Sequence, residues 1–384
     1  FDSTGYDFEG KADPDVEREK SLHVKPTEPA TYKGVKIKLT NMYDDLAAKV
    51  ESFQPTLLAV SVTESTFLRG VLLLNYLRFT KKYNILTIVG GVFATFSPYR
   101  VLREKSIDIA CVGEGEIPLV QLCEKLDRME SFYHIPGLWV KNTQSGNVIK
   151  NPLPEAIDIN SLPLIDYSIF EDDRFFRPLR GKVYRMLPVE THRGCPYTCT
   201  FCNSPAQNKL YDEQTKSKFF RKKSVEKIRE ELINFRDTWR GEYVFFWADT
   251  FLAWSQRELA EFCEMYSEFK FPFWCQSRTE TVADSQRGYK KLKMLQDVGL
   301  HHMSFGLEHG NEEYRRRVIH RSYSNQDAVD ALKNPVKLSI PFTINNIIGL
   351  PDETRALAMD TIELNREIES FNLSCSTFAP YQGT

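Results

Sequence analysis

The feature that most constrains the fold is the alternation of short apolar runs with segments of helical periodicity. In the first half, three apolar runs are predicted to be buried strands, at 56–62, 84–91 and 107–116. The segments that follow them are predicted to be helices, at 68–81, 98–105 and 118–126. Strands that alternate with helices at this spacing pair in parallel, in an open, doubly wound α/β sheet of the Rossmann type. Ligands of such sheets bind beyond the carboxyl ends of the strands, where Ser61, Gly90 and Gly113 lie.

The second half repeats the alternation. Six strands are predicted, at 183–191, 242–249, 271–278, 301–308, 340–349 and 373–380. Five helices are predicted between them, at 225–235, 257–269, 289–298, 326–333 and 354–368. This number of βα units predicts a partial (β/α)6 barrel, whose chemistry lies at the carboxyl ends of its strands.

The segments between these halves set the expected domain limits. Residues 137–151 alternate around a Ser-Gly turn, which predicts a hairpin, and the proline-punctuated stretch after it is typical of a linker. We therefore expect a first domain at 1–136, a hairpin and linker at 137–182, and a barrel at 183–384. Because the chain lacks an initiating Met and stops at PYQGT, we expect both ends to continue.

Composition excludes several classes of protein. A formal net charge of -2 gives no basic field of the kind that binds nucleic acid. The longest apolar run, from Val71 to Leu77, is interrupted by Asn75 and is shorter than the roughly 20 residues of a membrane span. The N-terminus resembles no secretion signal. A protein of the reducing cytoplasm, without a membrane span, is therefore expected.

Three of the eight cysteines, Cys195, Cys199 and Cys202, lie within the stretch THRGCPYTCTFCNSP. The other five are expected to be buried small side chains: Cys111, Cys123, Cys263, Cys275 and Cys375. Thiolates suit zinc or iron–sulfur clusters, but structural zinc requires four closed ligands. No second Cys/His pair follows at zinc-finger spacing, although His192 could complete a zinc shell. Three thiolates on a four-iron cluster would leave one iron open for a substrate.

This Cys-x3-Cys-x2-Cys spacing, with an aromatic residue, Phe201, before the last Cys, resembles the signature of the radical S-adenosylmethionine (radical SAM) superfamily. The resemblance implies a 4Fe-4S cluster on Cys195, Cys199 and Cys202, which are then both metal ligands and the catalytic centre. It also implies S-adenosylmethionine on the open iron, reductive cleavage of its sulfonium, and an external electron donor of the flavodoxin or ferredoxin type. Sensitivity to oxygen would follow.

Later segments resemble the superfamily on successive strands. Asp249, in FFWADTF, would hold the amino group of S-adenosylmethionine, although Ala248 stands where relatives often carry a second acid. Glu308, in GLEHG, would face the ribose or the amino group, with His309 where the motif usually has Ser. Arg321 matches a basic residue that pairs with the methionine carboxylate, as a planar fork can. Alone, Asp249 or Arg321 is more typical of a surface ion pair, and only their order on successive strands favours the site.

The adenine would lie against Phe201 and against Ile347 and Gly349 of NNIIGLPDET. Ile347 is equally consistent with plain barrel core.

Three stretches of the first domain, SVTEST, VGGVFAT and VGEGE, resemble consecutive loops of the cobalamin-binding domain that precedes the barrel in one radical SAM subfamily. The resemblance implies a cobalamin site formed by Ser61, Thr63, Gly90, Gly91, Gly113 and Glu114. The Asp-x-His-x-x-Gly motif that supplies histidine to cobalt is absent, and His23 is predicted to be a loop residue. FDSTGYDFEG resembles the end of a second strand in such proteins. The segment that would carry the Asp-x-His-x-x-Gly motif is therefore expected before Phe1.

The resemblance implies a cobalamin-dependent radical SAM enzyme for a small-molecule substrate, with methyl transfer to an unactivated carbon as the first hypothesis. An oxidation or cyclisation without methyl transfer is the alternative. A non-catalytic corrinoid- or zinc-binding module is the third, and RNA modification is disfavoured by the net charge.

Overall fold

The computed structural model describes residues 1–3, 6, 38–142, 146–283 and 286–384. His23 and most of FDSTGYDFEG lie outside the described residues, so the prediction for that segment stays a prediction. Tyr6 forms an isolated parallel bridge with Lys38.

The first sheet has five strands in the order β1-β2-β3-β4-β5. They are β1 (Leu57–Ser61), β2 (Leu86–Gly90), β3 (Ile109–Cys111), β4 (Leu138–Lys141) and β5 (Val148–Lys150). Strands β1 to β3 are parallel, whereas β4 and β5 form an antiparallel hairpin that extends the sheet from β3. The predicted doubly wound sheet and hairpin are confirmed.

Among the residues that the structure describes, five helices belong to this sheet: α1 (Met42–Phe53), α2 (Glu64–Asn75), α3 (Val92–Phe96), α4 (Pro98–Leu102) and α5 (Glu116–Asp127). Helix α2 begins four residues before the predicted residue 68, because Thr63 forms a capping box with Thr66. A π-helical turn, Tyr76–Thr80, continues it. The apolar side chains of α2 and β2 pack in one core that includes Phe67, Val71 and Val89.

A second sheet of seven strands has the order β14-β13-β12-β11-β10-β7-β6. Its strands are β6 (Phe176–Leu179), β7 (Lys182–Glu190), β10 (Tyr243–Trp247), β11 (Phe273–Arg278), β12 (Leu300–Glu308), β13 (Phe342–Ile348) and β14 (Asn372–Thr377). The six from β7 to β14 pair in parallel, and β6 is antiparallel to β7. The predicted partial barrel is confirmed, while the domain limits at residues 136 and 182 stay a prediction.

The helices of the second half are α6 (Ser204–Gln214), α7 (Val225–Asp237), α8 (Gln256–Tyr266), α9 (Arg287–Val298), α10 (Glu312–Tyr314), α11 (Asn325–Lys337) and α12 (Arg355–Arg366). Short strands β8 (His192–Arg193) and β9 (Arg221–Lys222) pair beside the cysteine stretch. The largest core lies between the helices and one face of the barrel strands, and Val244, Phe246 and Phe305 contribute to it. Strand β14 is an edge strand whose residues are all exposed.

Two of the five cysteines expected to be buried are exposed. Cys111, Cys263 and Cys275 are buried, but Cys123 and Cys375 are not. Cys123 follows buried Leu122 on α5 and so turns away from the face that packs, and Cys375 lies on the exposed edge strand β14. Among the described residues, no helix is both long and apolar enough to span a bilayer.

Candidate functional site

The cysteine loop begins directly after β8, at the carboxyl end of β7. A left-handed backbone at Gly194 (φ 79°) turns the chain into the loop, and a Cβ there would lie 2.7 Å from the Phe219 ring. Cys195 and Cys199 are buried and Cys202 is half-buried. The Asn208 amide of α6 donates to the Cys195 carbonyl oxygen at 2.8 Å. A helix that begins two residues after the last cysteine therefore fixes the first one.

Two guanidinium groups point at one sulfur. Nη1 of Arg278, at the end of β11, donates to the Cys199 Sγ at 3.1 Å, and Nε of Arg321 approaches the same sulfur at 3.4 Å. Burial raises the pKa of the Cys195 and Cys202 thiols. Cationic donors at a buried sulfur fit a site that holds negative charge, as a thiolate bound to an iron–sulfur cluster does.

Arg321 is also paired with Glu308, as Nη2 lies 3.1 Å from Oε1 and Nη1 donates to the Gly306 carbonyl oxygen at 2.6 Å. Glu308 has a left-handed backbone (φ 72°), which a non-glycine residue adopts at a cost and which is typical of functional sites. Burial raises the pKa of Glu308, and Arg321 opposes that rise. Burial lowers the pKa of Arg321, but Glu308, Tyr323, Cys199 and Glu280 together outweigh this effect and keep the guanidinium charged. Glu308, at the end of β12, and Arg321, which follows it in the chain, thus form one buried ion pair.

Asp249 lies on the other side of the cysteine loop. Its Oδ2 accepts from the Ser204 hydroxyl at 2.7 Å, and the neighbouring Thr250 Oγ1 is 3.4 Å from Cys195 Sγ. The structure therefore brings Asp249 and Glu308 to the cysteines from the ends of β10 and β12, and Arg321 from the segment that leads from β12 to α11.

Phe201 and Ile347 contact a separate small cluster that contains Tyr314, Ile319 and Leu350. Ile347 therefore does not belong to the core beneath the helices, and its contact with the adenine stays a prediction. The Arg321 guanidinium lies 5.6 Å from the Phe201 ring centroid.

Gly349 has a left-handed backbone (φ 77°), and its amide donates to Glu353. His309 Nε2 lies 3.1 Å from the same carboxylate, so the ends of β12 and β13 are joined through Glu353. Burial lowers the pKa of His309, an effect that Glu353 opposes.

In the first domain, the predicted cobalamin loops lie at the carboxyl ends of β1, β2 and β3. Ser61 and Thr63 are exposed, and the Thr63 hydroxyl lies 3.0 and 3.1 Å from those of Ser65 and Thr66. Gly90 ends β2, and Gly91 (φ 96°) is required by packing, since a Cβ would lie 2.4 Å from the Val62 carbonyl oxygen. An exposed hydroxyl cluster at the start of α2 suits the hydrogen-bonding groups of a nucleotide tail.

The third of these loops contacts the barrel directly. The Glu114 amide donates to the Tyr211 hydroxyl of α6 at 2.9 Å, and a Cβ on Gly113 (φ 80°) would lie 2.8 Å from that oxygen. The Glu114 carboxylate lies 2.8 Å from Nη1 of Arg193 and also pairs with Arg221. In this structure Glu114 therefore joins the two domains, and its predicted contact with cobalamin stays a prediction.

Sequence reasoning missed Arg278, Arg193, Tyr211 and Ser204. Only Arg278 left a usable signal, because it ends a predicted barrel strand at the edge where Asp249 and Glu308 also lie.

The residues present fit an iron–sulfur cluster better than a single ion. Among the described residues, no group of three His, Cys, Asp or Glu side chains is placed to hold one metal ion. A four-iron cluster has no such requirement, because each thiolate binds a different iron. Cys195, Cys199 and Cys202 would hold it, with Arg278 and Arg321 as donors to Cys199.

A curled parallel sheet with a three-cysteine loop after its first parallel strand, preceded by a doubly wound domain, defines the class of two-domain radical S-adenosylmethionine proteins. Residues 189–364 match the radical SAM superfamily, and residues 30–123 match the B12 binding domain. The chain therefore carries a radical SAM domain, with a B12 binding domain ahead of it. Its cofactors are accordingly a 4Fe-4S cluster, S-adenosylmethionine and cobalamin.

Three similar proteins extend this comparison. An uncharacterized methyltransferase of Pyrococcus horikoshii is 26% identical over 345 residues, which cover 89% of this chain and 71% of the relative. The anaerobic magnesium-protoporphyrin IX monomethyl ester cyclase of Cereibacter sphaeroides is 26% identical over 350 residues, 89% of this chain and 54% of the cyclase. The cobalamin-dependent S-adenosylmethionine radical enzyme OxsB shares the fold, with a TM-score of 0.68 at 20% identity, over 86% of this chain and 46% of OxsB. The chain thus spans about half the length of the latter two.

Proposed function

We propose that the protein is a cobalamin-dependent radical SAM methyltransferase that acts on an unactivated carbon of a small molecule. The observation that carries this proposal is the direct contact between the Gly113–Glu114 loop and the barrel, through Tyr211 and Arg193. Because α6 also holds Cys195 through Asn208, one helix joins the cobalamin domain to the cysteine loop. Two cofactors that act on one substrate require such proximity.

In this proposal, the chain's own residues bind and orient the cluster and S-adenosylmethionine. The Arg278 and Arg321 guanidinium groups offset negative charge at Cys199. Asp249 and Glu308 present carboxylates for an amino group, and the fork of Arg321 suits a carboxylate. When bound, the cluster supplies the electron that cleaves S-adenosylmethionine, and cobalamin supplies a carrier for the methyl group.

We also propose an external one-electron donor of the flavodoxin or ferredoxin type and a cytoplasmic location. Both follow from a cluster with one open iron, which needs a reductant and a reducing compartment.

The cluster is tested by anaerobic purification with iron and sulfide analysis of wild type, Cys199→Ala and the control Cys123→Ala, which alters an exposed cysteine away from the loop. We expect four irons per chain in wild type and in the control, and loss of the cluster in Cys199→Ala. Bound zinc without sulfide, or an intact cluster in Cys199→Ala, would contradict the proposal and favour a non-catalytic module.

A cyclase or other oxidation without methyl transfer is the second candidate, because the cyclase relative has the same percentage identity to this chain, 26%, as the methyltransferase relative. The reaction balances separate the two. Methyl transfer leaves S-adenosylhomocysteine, whereas one-electron cleavage leaves methionine and a 5′-deoxyadenosyl radical, which becomes 5′-deoxyadenosine when it takes a hydrogen atom from the substrate. Reconstituted protein with cobalamin, a low-potential reductant and methyl-labelled S-adenosylmethionine should form both S-adenosylhomocysteine and 5′-deoxyadenosine. Label found only in methionine would select the second candidate.

A further inference from the structure

A row of aromatic side chains lines the concave face of the barrel sheet. Along β10, Tyr243, Phe245 and Trp247 alternate with Val244 and Phe246. Val244 and Phe246 lie in the core beneath the helices. Because successive side chains of a strand point to opposite faces, the three aromatic rings point to the concave face. We call these three residues the aromatic row.

The aromatic row is closed at one end and open at the other. Tyr243 is 0% exposed, with its ring 5.6 Å from that of His301, whereas Trp247 is 56% exposed. The open end lies beside the cysteine loop, because the Trp247 carbonyl oxygen accepts from the Thr191 amide at 3.1 Å. Thr191 is four residues before Cys195, so an exposed indole lies where a substrate must come.

A second indole widens the aromatic surface. Trp274 of β11 packs against Phe245 with ring centroids 4.4 Å apart at 33°. The Phe245 and Trp247 rings are 5.4 Å apart at 79°. The Trp274 Nε1 donates to the Ser304 hydroxyl at 3.0 Å, which holds that ring in place. The Trp247 ring is thus exposed to solvent, next to the packed rings of Phe245 and Trp274.

The facing part of the same concave surface is polar. Ser304 of β12 pairs in register with Thr343 of β13, and Asn345 pairs with Ser374 of β14. Their neighbours Phe305, Ile344 and Phe342 lie in the core beneath the helices, so these four polar side chains share the concave face with the aromatic row. One side of the concavity is therefore aromatic, and the other offers hydroxyl and amide groups.

We propose that this concave face binds the substrate as a planar, largely apolar ring system stacked on Trp247, with its polar substituents toward Ser304, Thr343 and Asn345. The inference rests on the proposed function, which requires a substrate beside the cysteine loop. An indole offers the largest aromatic face of any side chain, and offset stacking favours flat rings over puckered ones. Its burial by a flat ligand also removes apolar surface from water.

The test uses anaerobically reconstituted protein and two probes with one carbon skeleton, planar 1-naphthol and its saturated analogue decahydro-1-naphthol. Equilibrium dialysis gives each Kd for wild type, Trp247→Ala, Trp247→Phe and the control Phe53→Ala, which removes an exposed ring of α1 in the first domain. We expect wild type to prefer 1-naphthol. Trp247→Ala should raise its Kd about tenfold, a loss of the size that one stacked aromatic contact accounts for. Trp247→Phe should retain most of the affinity and Phe53→Ala all of it.

Equal affinity for the two probes, or for wild type and Trp247→Ala, would overturn the proposed ring site. Iron content equal to wild type shows that Trp247→Ala is folded and loaded. The formation of S-adenosylhomocysteine by wild type is scored separately. Its absence together with Trp247-dependent binding of 1-naphthol would remove the methyltransferase proposal and leave the ring site.

Discussion

Arg193 and Glu114 form an ion pair, 2.8 Å from Nη1 to Oε1, between the strand that leads into the cysteine loop and the last loop of the cobalamin domain. The side chains are 18% and 9% exposed. The same nitrogen lies 2.7 Å from Glu116, so this one guanidinium holds two carboxylates of the first domain.

Arg193→Met should therefore destabilise the contact between the domains, because Glu116 loses the cation that it pairs with and Glu114 keeps Arg221 and the Ile157 amide. We expect a loss of about 2 to 3 kcal/mol in the free energy of unfolding, below the range for a fully buried pair because Arg193 is partly exposed. Urea titration measures it. Arg229→Met, which breaks an exposed pair with Glu268, is the control and should change the stability much less, because solvent screens an exposed ion pair. Equal losses in the two variants would show that the interdomain ion pair contributes no more to the free energy of unfolding than an exposed pair does.

Gly113→Ala should be more costly than its backbone angle alone requires. The new Cβ would lie 2.8 Å from the Tyr211 hydroxyl oxygen and 2.9 Å from Leu153 Cδ2. Gly146→Ala is the matched control, since Gly146 has a similar φ of 73° and nothing within 4 Å of the built Cβ. We expect about 1 kcal/mol of destabilisation for the control and about 1 to 3 kcal/mol more for Gly113→Ala. Thermal unfolding of both variants checks the difference, and equal melting temperatures would contradict the close contact.

His302 should make the protein sensitive to acid. Burial lowers its pKa to about 4, and its Nε2 lies 2.9 Å from the Thr343 hydroxyl. The unfolded chain, with an ordinary histidine pKa near ~6.5, binds the proton first as the pH falls. The stabilisation is therefore complete above about pH 6.5 and is lost progressively toward pH 4, with a total of about 3 kcal/mol.

Unfolding free energies of wild type and His302→Asn at pH 7, 5.5 and 4.5 test this. The variant should lose less stability than wild type across the interval, because other acid-sensitive groups act equally in both. Parallel pH profiles would show that His302 is not the responsible group.

Arg321→Lys and Arg321→Gln should separate stability from the binding of S-adenosylmethionine. The Gln variant leaves Glu308 buried without its main cation and should lose about 3 to 5 kcal/mol, whereas Lys retains the charge and should lose less. Both should bind S-adenosylmethionine about tenfold more weakly, because neither offers the planar fork. Dialysis against the labelled cosubstrate, at matched iron content, gives the affinities. Wild-type affinity in Arg321→Lys would assign Arg321 a purely structural role.

Much of the fold could be predicted because apolar runs alternate with helical periodicity, and each of the six parallel barrel strands was located within a few residues, whereas β6 was not predicted. Helix α6 was missed because its sequence, SPAQNKLYDEQ, is polar and lacks an apolar stripe. The cysteines were found from their spacing alone.

The contacts of Glu114 could not be predicted, since Arg193 and Arg221 lie 79 and 107 residues away and meet it only after the domains pack. Arg278 reaches Cys199 across 79 residues. Such pairs depend on tertiary structure, to which local patterns are blind.

Helix α6 has a mechanical consequence. The Ser204 amide donates to Cys202 Sγ and the Asn208 amide donates to the Cys195 carbonyl oxygen, so both residues hold the cysteine loop, and Tyr211 holds the loop of the first domain one to two turns later. At about 1.5 Å of rise per residue, these anchors span roughly 10 Å of stiff helix. The two loops must therefore move together. Thermal motion then changes the distance between them far less than it changes the position of either loop.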